Sequence, residues 1–593
     1  MFGVCFGYGT KGITGGSMYP PLIRRLLQDR GADPDDALDL STISPPLGPQ
    51  GFLGMKEAVA WIAYAVRHQW PTVIVGDYDV DGACASAILR GSLSGLLPVT
   101  SIVPNRFTEG YGLTPAIVDR IAPETKLVIT VDNGVSAHAG VAAAKQRGMT
   151  VLVTDHHLPG PLRPPADVIV NPNQPGCPFP WKSTCGTAVA WYLVLALHQT
   201  HPHWIGREQV ESQIDLVALA TVADLVKLER NNRVLVANGL RRIREGKINP
   251  GLSGIATMAQ IELSTIREQD FAFKIGPRLN AAGRLADMQT GIHLLLSRDA
   301  EQVERWSRFL ETVNAQRKEV QAQIEQEAVE IVNGMSDSGD PVLCVGSDHW
   351  HSGVVGIVAG KLKERFERPA FVLTATGEGD LAQGSGRSLD GWHLRDALAR
   401  LDTEHPGILQ RYGGHAMAAG LSIPKSRFDA FRAGINGVLL EQVPTGALHR
   451  QVHCDGPLSA AECTLEMARA IEAAGPWGQG FPEPLFENTF VVESARTMKG
   501  GHWKLHLRLE DSSSVPTNLV EAVHFLDGKE VAPEPPPSGL RIRAQYRLQV
   551  NRWQGREALQ LQIHSAYPAP APVVALTSES SLTPRCDGAS PGA

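Results

Sequence analysis

No pair of cysteines in this sequence has the spacing of a metal or redox motif. Eight are scattered singly, and no CxxC occurs, which excludes a zinc ribbon and a thioredoxin-type centre. Long apolar runs are missing too. The longest, Val189 to Leu197 (VAWYLVLAL), is about half of what a membrane helix needs, so no membrane association is expected. The opening stretch to Met18 lacks an apolar core bounded by a charged start and a small-residue cleavage site; it is no secretory signal, and a reducing cytoplasm is expected. Met18, just before the first helical pattern YPPLIRRLLQDRG, is expected to be the natural start, with residues 1–17 non-native or disordered. An excess of positive charge is also absent: Lys plus Arg total 55 against 62 Asp plus Glu, a formal net charge of -7. A polyanion would have to be gripped by local basic patches, because the whole-molecule field repels it.

What is present is ordinary globular composition, 43% hydrophobic and 20% charged over 593 residues, which excludes global disorder. At roughly 150 residues per domain the chain holds about three to five domains. After an N-terminal segment (1–53), residues 54–245 alternate β-branched runs with Ala-rich helical stretches. TVIVGDYDVDG, LVITVDNG and VLVTDHH each end abruptly in Asp, Gly or His. This is the βαβ pattern of a parallel, doubly wound sheet, whose ligands sit beyond the carboxyl ends of the strands. A helical connector (246–335) contains an amphipathic period from Glu301 to Val332, read as one long helix. A second α/β unit (336–445) follows. Residues 446–567 comprise a linker and five strand-like runs at short spacing, read as a small barrel or sandwich. The Pro-, Ala- and Ser-rich 568–593 reads as a disordered tail.

The chemistry concentrates at the strand ends. In GDYDVDG, an extended backbone would project Asp77, Asp79 and Asp81 to one side, and three carboxylates together call for a hard cation. An EF-hand reading fails, since no helix precedes the motif and its twelfth position is Ile88 rather than Glu. Asp132 and Asp155-His156-His157 end the next two strands and converge on the same crevice. In DLVALATVADLV, either Asp215 or Asp224 closes the coordination sphere. Mixed carboxylate and imidazole ligation favours Mn²⁺ or Mg²⁺, and two ions about 3.5–4 Å apart suit in-line attack on phosphorus. His198, His201 and His203 read as solvated, and Trp61, Trp70, Trp181 and Trp191 as core or interface residues.

The order DYDVDG, VPNRFTEGYGL, VDNG, TDHH, VADLV, GPRLNAAGRLADM, HSGVVGIVAGKLKERF, GSGRS, YGGHAMAAGLS and AGPWGQGFPEPLF resembles the RecJ family of DHH phosphoesterases over roughly Tyr19 to His564. The resemblance implies a parallel-sheet DHH domain, a DHH-associated α/β domain and a C-terminal OB-fold. It implies an exonuclease that degrades single-stranded DNA from the 5′ end to mononucleotides in DNA repair and recombination. A single-strand-binding protein and a helicase are the implied protein partners. Residue by residue, it implies that Asp77, Asp79, Asp81, Asp132, His156 and Asp224 hold two Mn²⁺ or Mg²⁺ ions, with Asp132 bridging them. His157 is implied to contact the scissile phosphate or orient the nucleophile. Two departures are Lys227, where the family often has Pro, and STCGTAVAW in place of a more Gly-rich start to its helix.

The resemblance further implies that Arg106, Arg278, Ser385, Arg387 and His415 grip the DNA backbone; Arg284 is read evenly as such a grip or as a surface ion pair. Arg541, Arg543, Arg547, Arg552 and Arg556 interleave with Tyr546 and Trp553, and Lys499, His502, Trp503 and Lys504 form a second cluster. Basic grooves with aromatic platforms hold single strands on OB-folds, so Trp503 and Arg552 are expected DNA contacts; Tyr546 alone reads equally as core. Two rival functions are a DHH phosphodiesterase of short oligonucleotides or cyclic dinucleotides and a non-catalytic strand-binding scaffold. The C-terminal strands oppose the first, and the complete carboxylate set opposes the second.

Overall fold

The computed structural model describes residues 19–106, 109–335, 339–375, 379–444, 448, 453–510, 519–526 and 534–569. The expected start at Met18, residues 1–17 and 570–593 of the expected tail lie outside them. Two compact units form. One contains the described residues up to His453 together with Ala470–Glu483; the other contains Cys454–Arg469 and those from Pro484 onward.

The larger unit opens with a five-stranded sheet: β1 (Thr72–Val75), β2 (Val99–Ile102), β3 (Leu127–Val131), β4 (Thr150–Thr154) and β5 (Val168–Val170), in the order 2-1-3-4-5. All its pairings are parallel. Strands β1, β3 and β4 are buried throughout, which is why they read as continuous apolar runs rather than alternating ones. The order reverses between β1 and β3, so their carboxyl ends open a crevice there. Helix α1 (Val80–Leu93) follows β1, and α2 (Gly186–Thr200) and α3 (Ile214–Ala223) pack beside it. All three are buried on nearly every face.

Helix α4 (Gly276–Leu285) packs on α5, a single helix over Ala300–Gly334. The two halves of α5 serve different cores. Its carboxyl half places Ile324, Ala328 and Val332 against Val345, Val358 and Leu362 of the second α/β region. That region is a mixed sheet of β6 (Leu343–Ser347), β7 (Ala370–Ala375), β8 (Leu381–Arg387), β9 (Arg411–Gly414) and β10 (Ala418–Pro424), ordered 6-7-8-10-9. Only β6 and β7 pair in parallel; the others are antiparallel. Helix α6 (Val355–Phe366) covers one face.

The smaller unit is a closed barrel of β11 (Phe486–Thr497), β12 (Trp503–Leu509), β13 (Leu519–His524), β14 (Arg541–Trp553) and β15 (Arg556–Pro568). Period-two burial along β14 turns Ile542, Ala544, Tyr546 and Leu548 inward. Among the described residues no helix is long and apolar enough to cross a membrane.

Candidate metal centre and its cleft

The three GDYDVDG carboxylates converge, though not through an extended strand as the alternation suggested. Strand β1 stops at Val75, and Asp79 caps α1, accepting from Gly82 N at 3.1 Å. The polar turn ends the strand and starts the helix, because a free carboxylate satisfies orphan N–H groups there. Asp81 therefore sits in the first helical turn, fully buried. Both of its oxygens accept N–H groups at the start of α2, from Gly186 and Thr187 at 2.7 Å each. Each carboxylate oxygen still has a second lone pair to offer.

Asp132 follows β3 at φ +60°, a left-handed conformation unusual for a side-chain-bearing residue and typical of functional sites. Gly186 abuts it: a Cβ on that glycine would lie 2.6 Å from Asp132 Cβ. His156 Nε2 lies 3.1 Å from Asp132 Oδ1, 3.6 Å from Asp224 Oδ2 and 3.7 Å from Asp81 Oδ2. Ligand atoms lie within 4.8 Å of one another in three overlapping groups: Asp77–Asp79–Asp132, Asp81–His156–Asp224 and Asp132–His156–His157. Asp224 is brought in at the end of α3. Asp215 is not: it is fully buried and accepts from Asn249 N and Leu216 N.

This donor set fits divalent cations. Asp132 Oδ1 and His156 Nε2 are buried without a hydrogen-bond partner, although they face each other at 3.1 Å. The contact lacks bonding angles, as expected of two ligands aimed at a common point rather than at each other. Burial first, then the neighbouring carboxylates, hold Asp77, Asp132 and Asp224 well above the usual carboxylate range. Bound positive charge would relieve that repulsion.

His157 is held differently. Its Nδ1 lies 2.8 Å from Asp155 Oδ1, and its Nε2 lies 3.3 Å from the Tyr111 hydroxyl. Burial alone would lower its pKa, but the Asp155 hydrogen bond and the surrounding carboxylates raise it to about 9. Asp155 in turn accepts Val135 N. Tyr111 also donates to Asp132 O. Asp155's orienting part and Tyr111 were missed as site residues by sequence reasoning. The glycines flanking Tyr111, both at positive φ, were the available signal.

A cleft of about 710 Å³ opens beside His157, with Tyr111 and Asp155 on one wall and Arg395, Tyr412, Gly414 and His415 on the other. Ser385 and Arg387 lie on β8 beside α6, near Gly356. Arg284 donates to Gly353 O at 2.8 Å. Burial lowers its pKa to about 10, and the positive charges of Arg106, Arg317 and Arg387 add to the effect. Burial likewise lowers Arg387. Among the described residues neither Arg284 nor Arg387 has an ion-pair partner, so the surface-bridge reading of Arg284 is not what the structure holds. Arg106 lies 4.6 Å from the Tyr78 ring. Arg278 departs from the cluster: it bonds Glu311 of α5 at 2.5 Å and Lys274 O, tying two helices together.

On the barrel the expected basic track is largely neutralised across strands. Arg541 pairs with Glu510, Arg543 with Glu487, Lys504 with Glu521 and Arg552 with Glu557. Cross-strand neighbours are the nearest counter-charges available in a sheet. Tyr546 is core, donating to Asn488 Oδ1. Trp503 is half-buried against His524, whereas Trp553 is 71% exposed.

A parallel sheet with this carboxylate–histidine cluster, joined by a long helix to a second sheet, defines a DHH-type phosphoesterase. Residues 71–221 match the DHH family N-terminal domain, 339–441 the DHHA1 domain and 454–565 the RecJ OB domain. The chain is 40% identical over 563 residues to the single-stranded-DNA-specific exonuclease RecJ of Escherichia coli, covering 93% of this chain and 96% of that one. It is similar to the crystal structure of Thermus thermophilus RecJ in complex with Mn²⁺, with a TM-score of 0.76, 28% identity and coverage of 93% and 76%. The Mg²⁺ complex of the same protein gives 0.71 at 27% identity, covering 93% and 75%. The chain belongs to the RecJ family.

Proposed function

We propose that the protein is a divalent-metal-dependent exonuclease specific for single-stranded DNA, releasing mononucleotides from the 5′ end. The observation that carries this is the cluster of Asp77, Asp79, Asp81, Asp132, His156 and Asp224, with a cleft opening beside it and Arg284 and Arg387 half-buried without ion-pair partners among the described residues. Strong identity to a curated single-stranded-DNA-specific exonuclease over nearly its full length supports the substrate. Mn²⁺ or Mg²⁺ would be held as two ions, one by Asp77 and Asp79 and the other by Asp81, His156 and Asp224, with Asp132 shared. Such ions polarise a phosphodiester and lower the pKa of water.

The chain's own groups do the rest. Asp155 fixes the tautomer and direction of His157 through Nδ1, leaving Nε2 turned toward Tyr111 and the cleft. The Asp155 carboxylate on Nδ1 favours a charged His157, which would present positive charge to the scissile phosphate. Arg106, Arg284, Ser385 and Arg387 hold the terminal phosphate, and Arg395 with Tyr412 and His415 line its approach. The 5′ polarity and a single-strand-binding protein and a helicase as partners rest on the family resemblance.

Digestion of 5′- and 3′-labelled single strands with each metal, beside a duplex control and an Asp132→Ala variant, tests the reading. Label should leave first from the 5′ end, the duplex should persist, and the variant should bind strands without cutting them. Comparable cleavage by the variant at saturating metal would falsify the two-ion assignment.

A further inference from the structure

A second pocket of about 500 Å³ shares no lining residue with the catalytic cleft. Arg233 lies in its wall, only 6% exposed, with its guanidinium 4.0 Å from the Phe481 ring. Phe481 stacks in turn on Trp477, with centroids 5.1 Å apart and planes 14° apart, and Arg30 lies over Trp477. Among the described residues nothing accepts a hydrogen bond from the Arg233 guanidinium, Nε included. Asp36 is the carboxylate that acts on Arg233. Yet Asp36 already accepts a two-bond fork from Arg230, at 2.7 and 3.1 Å. Asp33 and Glu229 also line the pocket, and neither has an ion-pair partner or a bond to Arg233 among the described residues. Lys227 is exposed at the rim, its stem close to Gly480.

A buried guanidinium without acceptors is costly unless a ligand supplies them. The Phe481 ring packs against the Arg233 guanidinium, whose N–H groups can form a fork to phosphate oxygens. Burial has also lowered its pKa to about 10, a state that an entering anion would reverse. We propose that this pocket binds a phosphate group of a nucleotide, with Arg233 and Lys227 as its charged ligands. It is a site separate from the carboxylate cluster. Lys227 belongs to the short loop that also carries Asp224, so the pocket lies on the same stretch of chain as the catalytic centre. The inference rests on the nuclease reading for its ligand, which is either a backbone phosphate of the strand or a released nucleoside monophosphate.

The test is calorimetric binding to the full chain in EDTA, in an Arg387→Ala background that weakens phosphate binding at the cleft. The probes are inorganic phosphate, thymidine 5′-monophosphate and a twenty-nucleotide oligothymidylate. Lys227→Glu, at an exposed position, and Arg233→Lys, which keeps charge but loses the fork, should each weaken binding by at least about tenfold. Loss with all three probes makes the pocket a nucleotide site; loss confined to the oligonucleotide makes it a strand-backbone site. Affinities unchanged in both folded variants overturn the proposal, and Lys227→Glu decides alone if Arg233→Lys does not fold. Cleavage by the wild-type chain with Mn²⁺ is measured separately. Its failure would count against the nuclease reading, whereas unchanged variant binding beside normal cleavage would count against the pocket alone.

Discussion

Arg387 is half-buried and Asp215 fully buried, and the difference between them is what each has been given. Arg387 bonds only Gly386 O among the described residues, so its remaining donors stay available for an external anion. Arg387→Ala is expected to slow digestion of 5′-phosphorylated strands far more than it weakens binding within a strand. The loss should be smaller on 5′-hydroxyl ends, where the contact is already partly unmade. Paired kinetics on the two substrates decide this, and an equal loss on both removes Arg387 from end recognition. Asp215 has two backbone N–H donors and, among the described residues, no ion-pair partner, and burial raises its carboxyl pKa to about 6 despite the charge of Arg242. Since the folded-state value lies above the ordinary 3.8, the folded state holds its proton longer than the unfolded one. Stability from this group is intact below about pH 4 and is lost as pH rises to about 6, a loss of roughly 3 kcal/mol. Asp215→Asn should therefore gain melting temperature relative to wild type between about pH 4 and 6 and hold that gain above. A constant difference across the range would show that Asp215 does not titrate there. The residue pattern alone left Asp215 and Asp224 open, since both sit in one apolar helical run, and only the family resemblance picked Asp224; the end of α3 is what separates a core acid from a cleft acid.

At the scale of elements, the catalytic carboxylates are placed by helix starts. Asp79 caps α1, and Asp81 receives the first N–H groups of α2, an arrangement that favours negative charge at both positions. Convergence of the strand-end motifs was legible in the sequence because a parallel sheet forces its carboxyl ends to one side. The route was not, because whether D-x-D-x-D continues a strand or opens a helix depends on tertiary partners such as Asn280, which accepts Val80 N. The barrel shows the opposite failure. Its five strands were readable as strand-like runs at short spacing, but the pairing of Arg541, Arg543 and Lys504 with glutamates depends on register, which spacing does not reveal. Gly186 offers a direct test of the helix-start placement. A methyl group there meets Asp132 at 2.6 Å, and overpacking of this kind costs about 1–3 kcal/mol. Gly186→Ala should displace Asp132, weaken Mn²⁺ binding and reduce cleavage by about a hundredfold, with strand affinity in EDTA preserved. Mn²⁺ titration and cleavage rates measure it, and a variant with unaltered metal affinity would show that the close approach is incidental.

Across the whole molecule, the chain leaves the larger unit, contributes Cys454–Arg469 to the smaller one, returns for Ala470–Glu483 and leaves again. The returning segment is firmly held. Trp477 is buried and its backbone N–H donates to Glu268, while Arg267 bonds both Glu472 and Glu483. The segment 446–567 therefore does not divide cleanly from what precedes it, and a cut near Phe490 would leave an orphaned start of β11, which begins at Phe486. Ending the chain after Glu483 removes the barrel strands and keeps the contacts of Trp477, Glu472 and Glu483 with Glu268 and Arg267. That truncation should stay folded and digest short oligonucleotides at near wild-type rates, while long strands bind more weakly for want of the barrel's exposed Trp553 and remaining basic groups. Ending the chain at Arg469 instead exposes the buried partners of Trp477 and leaves Arg267 and Glu268 without the residues they face. It should lower the melting temperature and cost activity on short and long substrates alike. Melting curves and affinities for short and long oligonucleotides, measured on both truncations, separate the two roles. Equal long-strand affinity in the full chain and the Glu483 truncation would mean that the barrel serves something other than the strand.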